Sequence, residues 1–129
     1  MKTSRLYIFI ILFLTLIPTI VISASTTIIH HQVFLWLENN NNETIDNIIY
    51  ETHKLKTIPG IIDLNVGTVV RSERAIVDDS YHIGIHMTFE SIADMKIYLQ
   101  HPDHQEYLRI YVKPVLEKIR VYDFSETVP

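Results

Sequence analysis

No cysteine occurs among the 129 residues, which excludes disulfides, a lipid-anchored cysteine after the N-terminal run and thiolate metal ligands. Basic charge is also scarce. Eleven Lys and Arg stand against 15 Asp and Glu, and the Lys and Arg form no cluster. An acidic chain without a basic stripe lacks the electrostatic footprint for nucleic acid, so no nucleic-acid partner is expected. Internal repeats are absent as well.

What is present begins with Lys2 and Arg5 ahead of "LYIFIILFLTLIPTIVIS" (Leu6 to Ser23), the layout of an export signal. The small side chains at Val21, Ser23 and Ser25 place a mature start between Ala24 and Thr26. The apolar run from Leu6 to Ile22 is about 17 residues, the lower limit for spanning a bilayer, so an uncleaved anchor is the alternative. Residues 1–24 are therefore expected to be a signal peptide or N-terminal anchor, with the rest exported and the membrane touched only through an uncleaved segment. Without Lys2 and Arg5 the formal charge of −4 becomes −6. About 105 residues remain, a single-domain length, and one domain is expected over 28–125. "NNNNET" (Asn39 to Thr44) reads as a solvated loop. It contains Asn42-Glu43-Thr44, a glycosylation acceptor pattern if the host is a eukaryote.

Periodicity gives the architecture. "HHQVFLWLE" (His30 to Glu38) is apolar on both alternating sets and predicts a strand covered on both faces. Thr44 is placed to cap a helix carrying Ile45, Ile48, Ile49 and Leu55 at helical spacing, and "IPG" stops it. From Ile61 to Val70 a second strand alternates Ile62, Leu64, Val66, Thr68 and Val70 on one face. A third sets Tyr81, Ile83, Ile85, Met87 and Phe89 against His82, Gly84, His86 and Thr88. Ser91 as N-cap and Asp94 three residues on open a second helix with Ile92, Met95 and Leu99 inward. A further helix is predicted from Pro102 to about Lys118, interrupted near Pro114, and "IRVYDF" closes as a strand. The order β-α-β-β-α-β is the ferredoxin-like α+β pattern, an antiparallel sheet with helices on one face. The other face needs a cover, and a second copy of the sheet supplies one, giving a homodimer with the form of a dimeric α/β barrel.

"HHQVFLWL", "IPGIIDLNVG", "VDDSYHIGIHMTFES", "YLQHPDH" and "VYDF" together resemble the stress-responsive dimeric A/B-barrel domain family, in order and spacing, from His30 to Phe124. The resemblance implies the dimer and a small-molecule pocket, assigns no reaction, and leaves open whether the chain is an enzyme. One branch of the family resembles plant polyketide cyclases, which close a poly-β-keto chain without any cofactor. Carried over residue by residue, its functional positions match His31 on the first strand, Tyr98 late in the second helix and His104 at the end of "HPDH". A further pocket histidine of those cyclases falls at Ile83 here, with His82 beside it on the opposite face.

Pro102 suits the first position of a helix, which makes His101 the N-cap and puts Asp103 and His104 in the first turn. The positive helix end favours a neutral imidazole at His104, able to take a proton from a methylene between two carbonyls. Tyr98 could donate to the developing enolate oxygen, and His31 could orient the chain or hold a second carbonyl. In the plainer reading His101 caps a turn, Tyr98 fills core and His104 lies at the surface. No metal site is expected. His101 and His104 share at most one helical edge, and His82 and His86, four apart on a strand, stand about 13 Å apart. Haem has no motif here, and His53 beside Lys54 and Lys56 belongs to a solvated face. Two functions stay open: an exported barrel-domain protein with a ligand pocket, or a cofactor-free cyclase or lyase acting on a small β-keto or aromatic compound. A connected cavity touching His31, Tyr98 and His104 separates these from a filled core.

Overall fold

Alternation and capping together set the element order of the computed structural model, which describes residues 26–128. The expected export signal lies outside the described residues. Among those residues, no helix is long and apolar enough to cross a membrane. Strand β1 (Thr26–Leu37) is followed by helix α1 (Asn42–Lys54), strands β2 (Ile61–Thr68) and β3 (Ile83–Phe89), helices α2 (Ile92–Gln100) and α3 (Pro102–Tyr107), and strand β4 (Leu116–Val128). The four strands form one antiparallel sheet in the order β2-β3-β1-β4. This is the ferredoxin-like arrangement that the sequence predicts.

One face of the sheet is covered by the helices. Ile29, His31, Val33, Leu35 and Leu37 of β1 and Ile83, Ile85, Met87 and Phe89 of β3 are all buried there, as strict two-residue alternation requires. Burial of a side chain such as Leu35 or Phe89 contributes about 1.5–3 kcal/mol. The opposite face carries Phe34, Trp36, Gly84, His86, Tyr122 and Phe124, and Tyr122 and Phe124 are exposed. On it His30 bridges His86 (Nδ1 to Nε2, 3.0 Å) and Glu126 (Nε2 to carboxylate, 2.8 Å), with its ring stacked on Phe124.

Four local expectations change. The N-cap of α1 is Asn41, whose side-chain oxygen accepts from the backbone N–H of Thr44, so Thr44 lies inside the helix. In β2 the pairing register shifts between Ile61 and Asp63, which turns Ile62 outward (47 % exposed), while Val70 lies beyond the strand (80 % exposed). In α2 the buried residues are Met95 and Tyr98, and Ile92 is exposed. The helix after Pro102 is short: α3 ends at Tyr107, a π turn (Leu108–Val112) and a 3₁₀ turn (Lys113–Val115) follow, and β4 already starts at Leu116. Pro114, lacking an N–H, sits where the helical path gives way to the strand.

The "IPG" stop does hold. Gly60 takes φ +94°, a left-handed conformation that favours glycine, and a Cβ there would come within 3.0 Å of the Asp94 Cβ. Asp94 is itself fixed by the predicted cap, its N–H donating to the Ser91 hydroxyl oxygen at 3.1 Å while that hydroxyl donates to the Asp94 carboxylate at 2.5 Å.

Candidate functional site

A residue preceding proline is pushed out of helical conformation by the proline ring. His101 accordingly has ψ 135°, ending α2 and capping α3, with its Nδ1 accepting from the Asp103 N–H at 3.3 Å. Pro102 occupies the first turn of α3, as expected. The break in direction swings His104 inward. It is 7 % exposed, against the plainer reading that left it at the surface.

His104 and Tyr98 then meet with ring centroids 4.4 Å apart, and His31 stands edge-on to Tyr98 at 6.2 Å. All three line a single cavity of about 160 Å³ between sheet and helices, whose walls are otherwise Val33, Leu35, Ile85, Met87, Leu108 and Val112 with neighbouring apolar side chains. Ile119 and Val121 of the edge strand β4 close its outer side and are themselves partly exposed, which makes β4 the open wall. The structure therefore brings together the three residues singled out in the sequence. His82 and His86 lie elsewhere. His82 accepts from the Leu37 N–H at 2.9 Å and pairs with Asn40, holding the end of β1, and His86 belongs to the open face with His30. Ile83 is fully buried in the core outside the cavity lining. His53 is exposed on α1, as expected.

The hydrogen-bond partners assign the imidazole tautomers. Nδ1 of His104 faces the Leu99 carbonyl at 3.1 Å, and since a carbonyl only accepts, Nδ1 carries the proton. Nδ1 of His31 faces the Asp123 carboxylate at 2.6 Å and likewise donates. In the neutral forms both rings keep their lone pair on Nε2. Burial is the main cause holding His104 below the ordinary imidazole range. The Leu99 carbonyl pulls the other way, and His31 and His101 add to the depression. Burial is thus the leading cause, ahead of the helix-end effect expected from the sequence. Burial also pushes the Tyr98 phenol well above its usual value, with Tyr107 adding to the rise, so this hydroxyl is a donor at any working pH. It hydrogen-bonds to no described residue.

Tyr107, also at the cavity wall, is occupied differently. The Thr52 hydroxyl donates to the Ile48 carbonyl at 2.6 Å, so the Tyr107 hydroxyl, 2.7 Å away, donates to Thr52. Burial pushes the Tyr107 phenol up to about 12.

Asp123, which holds His31, is the residue of this arrangement that sequence reasoning missed. It lies within "VYDF", but its meaning depends on the β1–β4 register that sets it opposite His31, 92 positions away. No sequence spacing announces that pairing. Its side chain is 44 % exposed while that of His31 is buried, so the carboxylate reaches in from the rim.

A cavity with two imidazole acceptors, one phenol donor and apolar walls can move a proton and stabilise charge on one oxygen. Among the described residues no group of three or more His, Asp or Glu side chains is arranged to hold a metal ion. A family model described as the stress responsive A/B barrel domain matches residues 29–126. A ferredoxin-like protein of that family from Mesorhizobium loti is 27 % identical over 80 % of this chain and 97 % of its own, with TM-score 0.64. A hydroxynitrile lyase from Passiflora edulis is 27 % identical over 79 % of this chain and 97 % of its own, with TM-score 0.67. A dimeric ferredoxin-like protein from Thermobifida fusca, at 20 % identity, covers 78 % of this chain and 92 % of its own with TM-score 0.63 and shares the fold. No curated protein matches the chain in sequence.

Proposed function

The chain belongs to the stress responsive A/B barrel domain family, and from that premise we propose that its cavity binds a small carbonyl compound, or the hydroxyl adduct of one, and acts on it as a cofactor-free lyase. One observation carries this reading: two histidines with Nε2 lone pairs assigned by their partners, and a phenol held in its neutral form, share one apolar cavity. His104 is the base, Tyr98 donates to the oxygen that gains charge, and His31, its ring held by Asp123, offers the Nε2 lone pair to a hydrogen at the other end. In the cleavage direction the base takes the hydroxyl proton of the adduct. The neighbouring carbon–carbon bond then breaks with its electrons on the departing carbon, and a carbonyl remains. The departing carbon takes up the proton that His104 Nε2 received, which returns the base to its neutral form. The hydroxynitrile lyase among the relatives supports a lyase in this family.

Size narrows the substrate. A cavity of about 160 Å³ is close to one of roughly 150 Å³ known to admit benzene, so a single ring or a short chain fits better than an extended poly-β-keto thioester. The second reading, binding without turnover, rests on the apolar character of the walls. A homodimer joined through the open sheet face is part of the proposal, supported by relatives described as dimeric. So is export, on the strength of Lys2, Arg5 and the apolar run after them.

Turnover of a panel of small β-keto compounds, aromatic ketones and hydroxynitriles tests the reading. His104→Ala and Tyr98→Phe should leave the fold intact and lower the rate about a hundredfold to ten-thousandfold. Binding of panel compounds with no turnover by the parent favours the second reading. Equal rates in parent and variants remove His104 and Tyr98 from the chemistry.

A further inference from the structure

The four asparagines from Asn39 to Asn42 do not do the same work. Asn39 accepts the backbone N–H of Asn41 through its side-chain oxygen at 3.3 Å. Asn40 bonds to His82 Nε2 at 2.8 Å, and Asn41 caps α1 through the Thr44 N–H at 2.8 Å. Asn42 alone of the four makes no side-chain hydrogen bond with any described residue, and it is exposed at the first position of α1. It is also the asparagine that satisfies the acceptor pattern, with Glu43 and then Thr44 after it. That pattern carries meaning only on the surface of a secreted chain, and the exposure supplies the structural half of the condition.

We propose that Asn42 is an N-glycosylation site of the exported protein. The inference rests on export as proposed above. In the step, the Asn42 side-chain nitrogen bonds to C1 of the first sugar of a lipid-diphosphate-linked oligosaccharide and loses a proton. The C1–O bond to the diphosphate breaks, and the lipid diphosphate leaves with that electron pair. Nothing is oxidised or reduced. The position suits a bulky addition. Helix α1 packs on the covered side of the sheet, so a glycan on Asn42 obstructs neither the open face nor the cavity, which Asn42 does not line. The three asparagines that hold the loop and the helix cap stay free of it.

Expression of the full chain in a eukaryotic secretory host tests this. The expected result is a single step in electrophoretic mobility, removed by peptide N-glycosidase with an aspartate left in place of Asn42, and absent in Asn42→Gln. Thr44→Ala should also abolish it and Thr44→Ser restore it. Both keep the helix cap, because the cap uses the backbone N–H of Thr44 and not its hydroxyl. Protein recovered from the medium with a mature start between Ala24 and Thr26 but an unmodified Asn42 overturns glycosylation and leaves export standing. Protein kept in the cytosol, unmodified and with its first residues intact, overturns both.

Discussion

In the proposed reaction Asp123 acts without lining the cavity. Its carboxylate holds the His31 ring by Nδ1 and faces the charge that the ring takes on when Nε2 accepts a proton. In Asp123→Asn the amide can turn its N–H₂ toward the ring and invert the tautomer. The rate should then fall at least about a hundredfold at unchanged stability, as steady-state kinetics and a thermal melt on the same sample will read. A loss of stability with an unchanged rate would make the contact a strand clamp only. His104 gives a second prediction, in pH. Its folded value is depressed, so it stays neutral below the ordinary range near about 6.5, and the acid limb of the rate profile should lie below that value. Stability has the matching sign. On acidification the unfolded chain takes up the His104 proton first. This contribution is therefore complete above the unfolded value and lost as pH falls through the folded one, an effect that His104→Gln should remove from a pH series of denaturation midpoints. His31, Tyr98 and His104 were legible only through the resemblance to the family, which matched each to a functional position. Helix spacing alone turns Ile92, Met95 and Leu99 inward instead of Tyr98, and the plainer reading leaves His104 at the surface. Asp123 was illegible because a partner 92 residues distant is fixed by strand register, which no local pattern reports.

Among the elements, α1 and α3 are joined by one hydrogen-bonded relay, from Tyr107 through Thr52 to the Ile48 carbonyl. Thr52→Val keeps the shape and leaves the buried Tyr107 hydroxyl without its acceptor, at a cost of about 1–3 kcal/mol. Chemical denaturation should give that loss for the single variant and a smaller one for Thr52→Val with Tyr107→Phe, where the stranded hydroxyl is gone. Equal losses would mean that the relay adds nothing beyond packing. The elements also mark where periodicity stops informing. Ser91 marks the start of helix α2 in the sequence and in the structure alike, because a cap is a local hydrogen-bond device. The predicted helix beyond Pro102 ran too long, since apolar residues from Leu108 to Val115 fit helical spacing equally well in a π turn followed by a 3₁₀ turn. In β2 the register shift after Ile61 reverses the facing of Ile62, and a bulge leaves no trace in the alternation itself.

At the scale of the whole molecule, the described residues leave one sheet face covered by helices and the other open. Tyr122 and Phe124 stand exposed on β4, with Tyr122 edge-on to Phe34, aromatic side chains that a second copy of the sheet would cover. A two-fold interface sets the same patch on both sides, so Phe124→Lys adds its charge twice to one interface. Sedimentation at low micromolar concentration should give a dimer for the parent and a folded monomer for Phe124→Lys. A monomeric parent would end the proposal of a barrel closed by a second copy.

The chain has a single tryptophan, and it lies on that face. Trp36 donates its indole N–H to the Ser80 hydroxyl at 3.0 Å, meets Tyr81 edge-on, and lies under the Lys118 ammonium, 3.9 Å from the ring centroid. Its emission therefore arises from one place and one environment, with an ammonium group that a second copy would displace or enclose. Association can be followed as the colour and intensity of that emission across a dilution series, with no label attached and no substitution made.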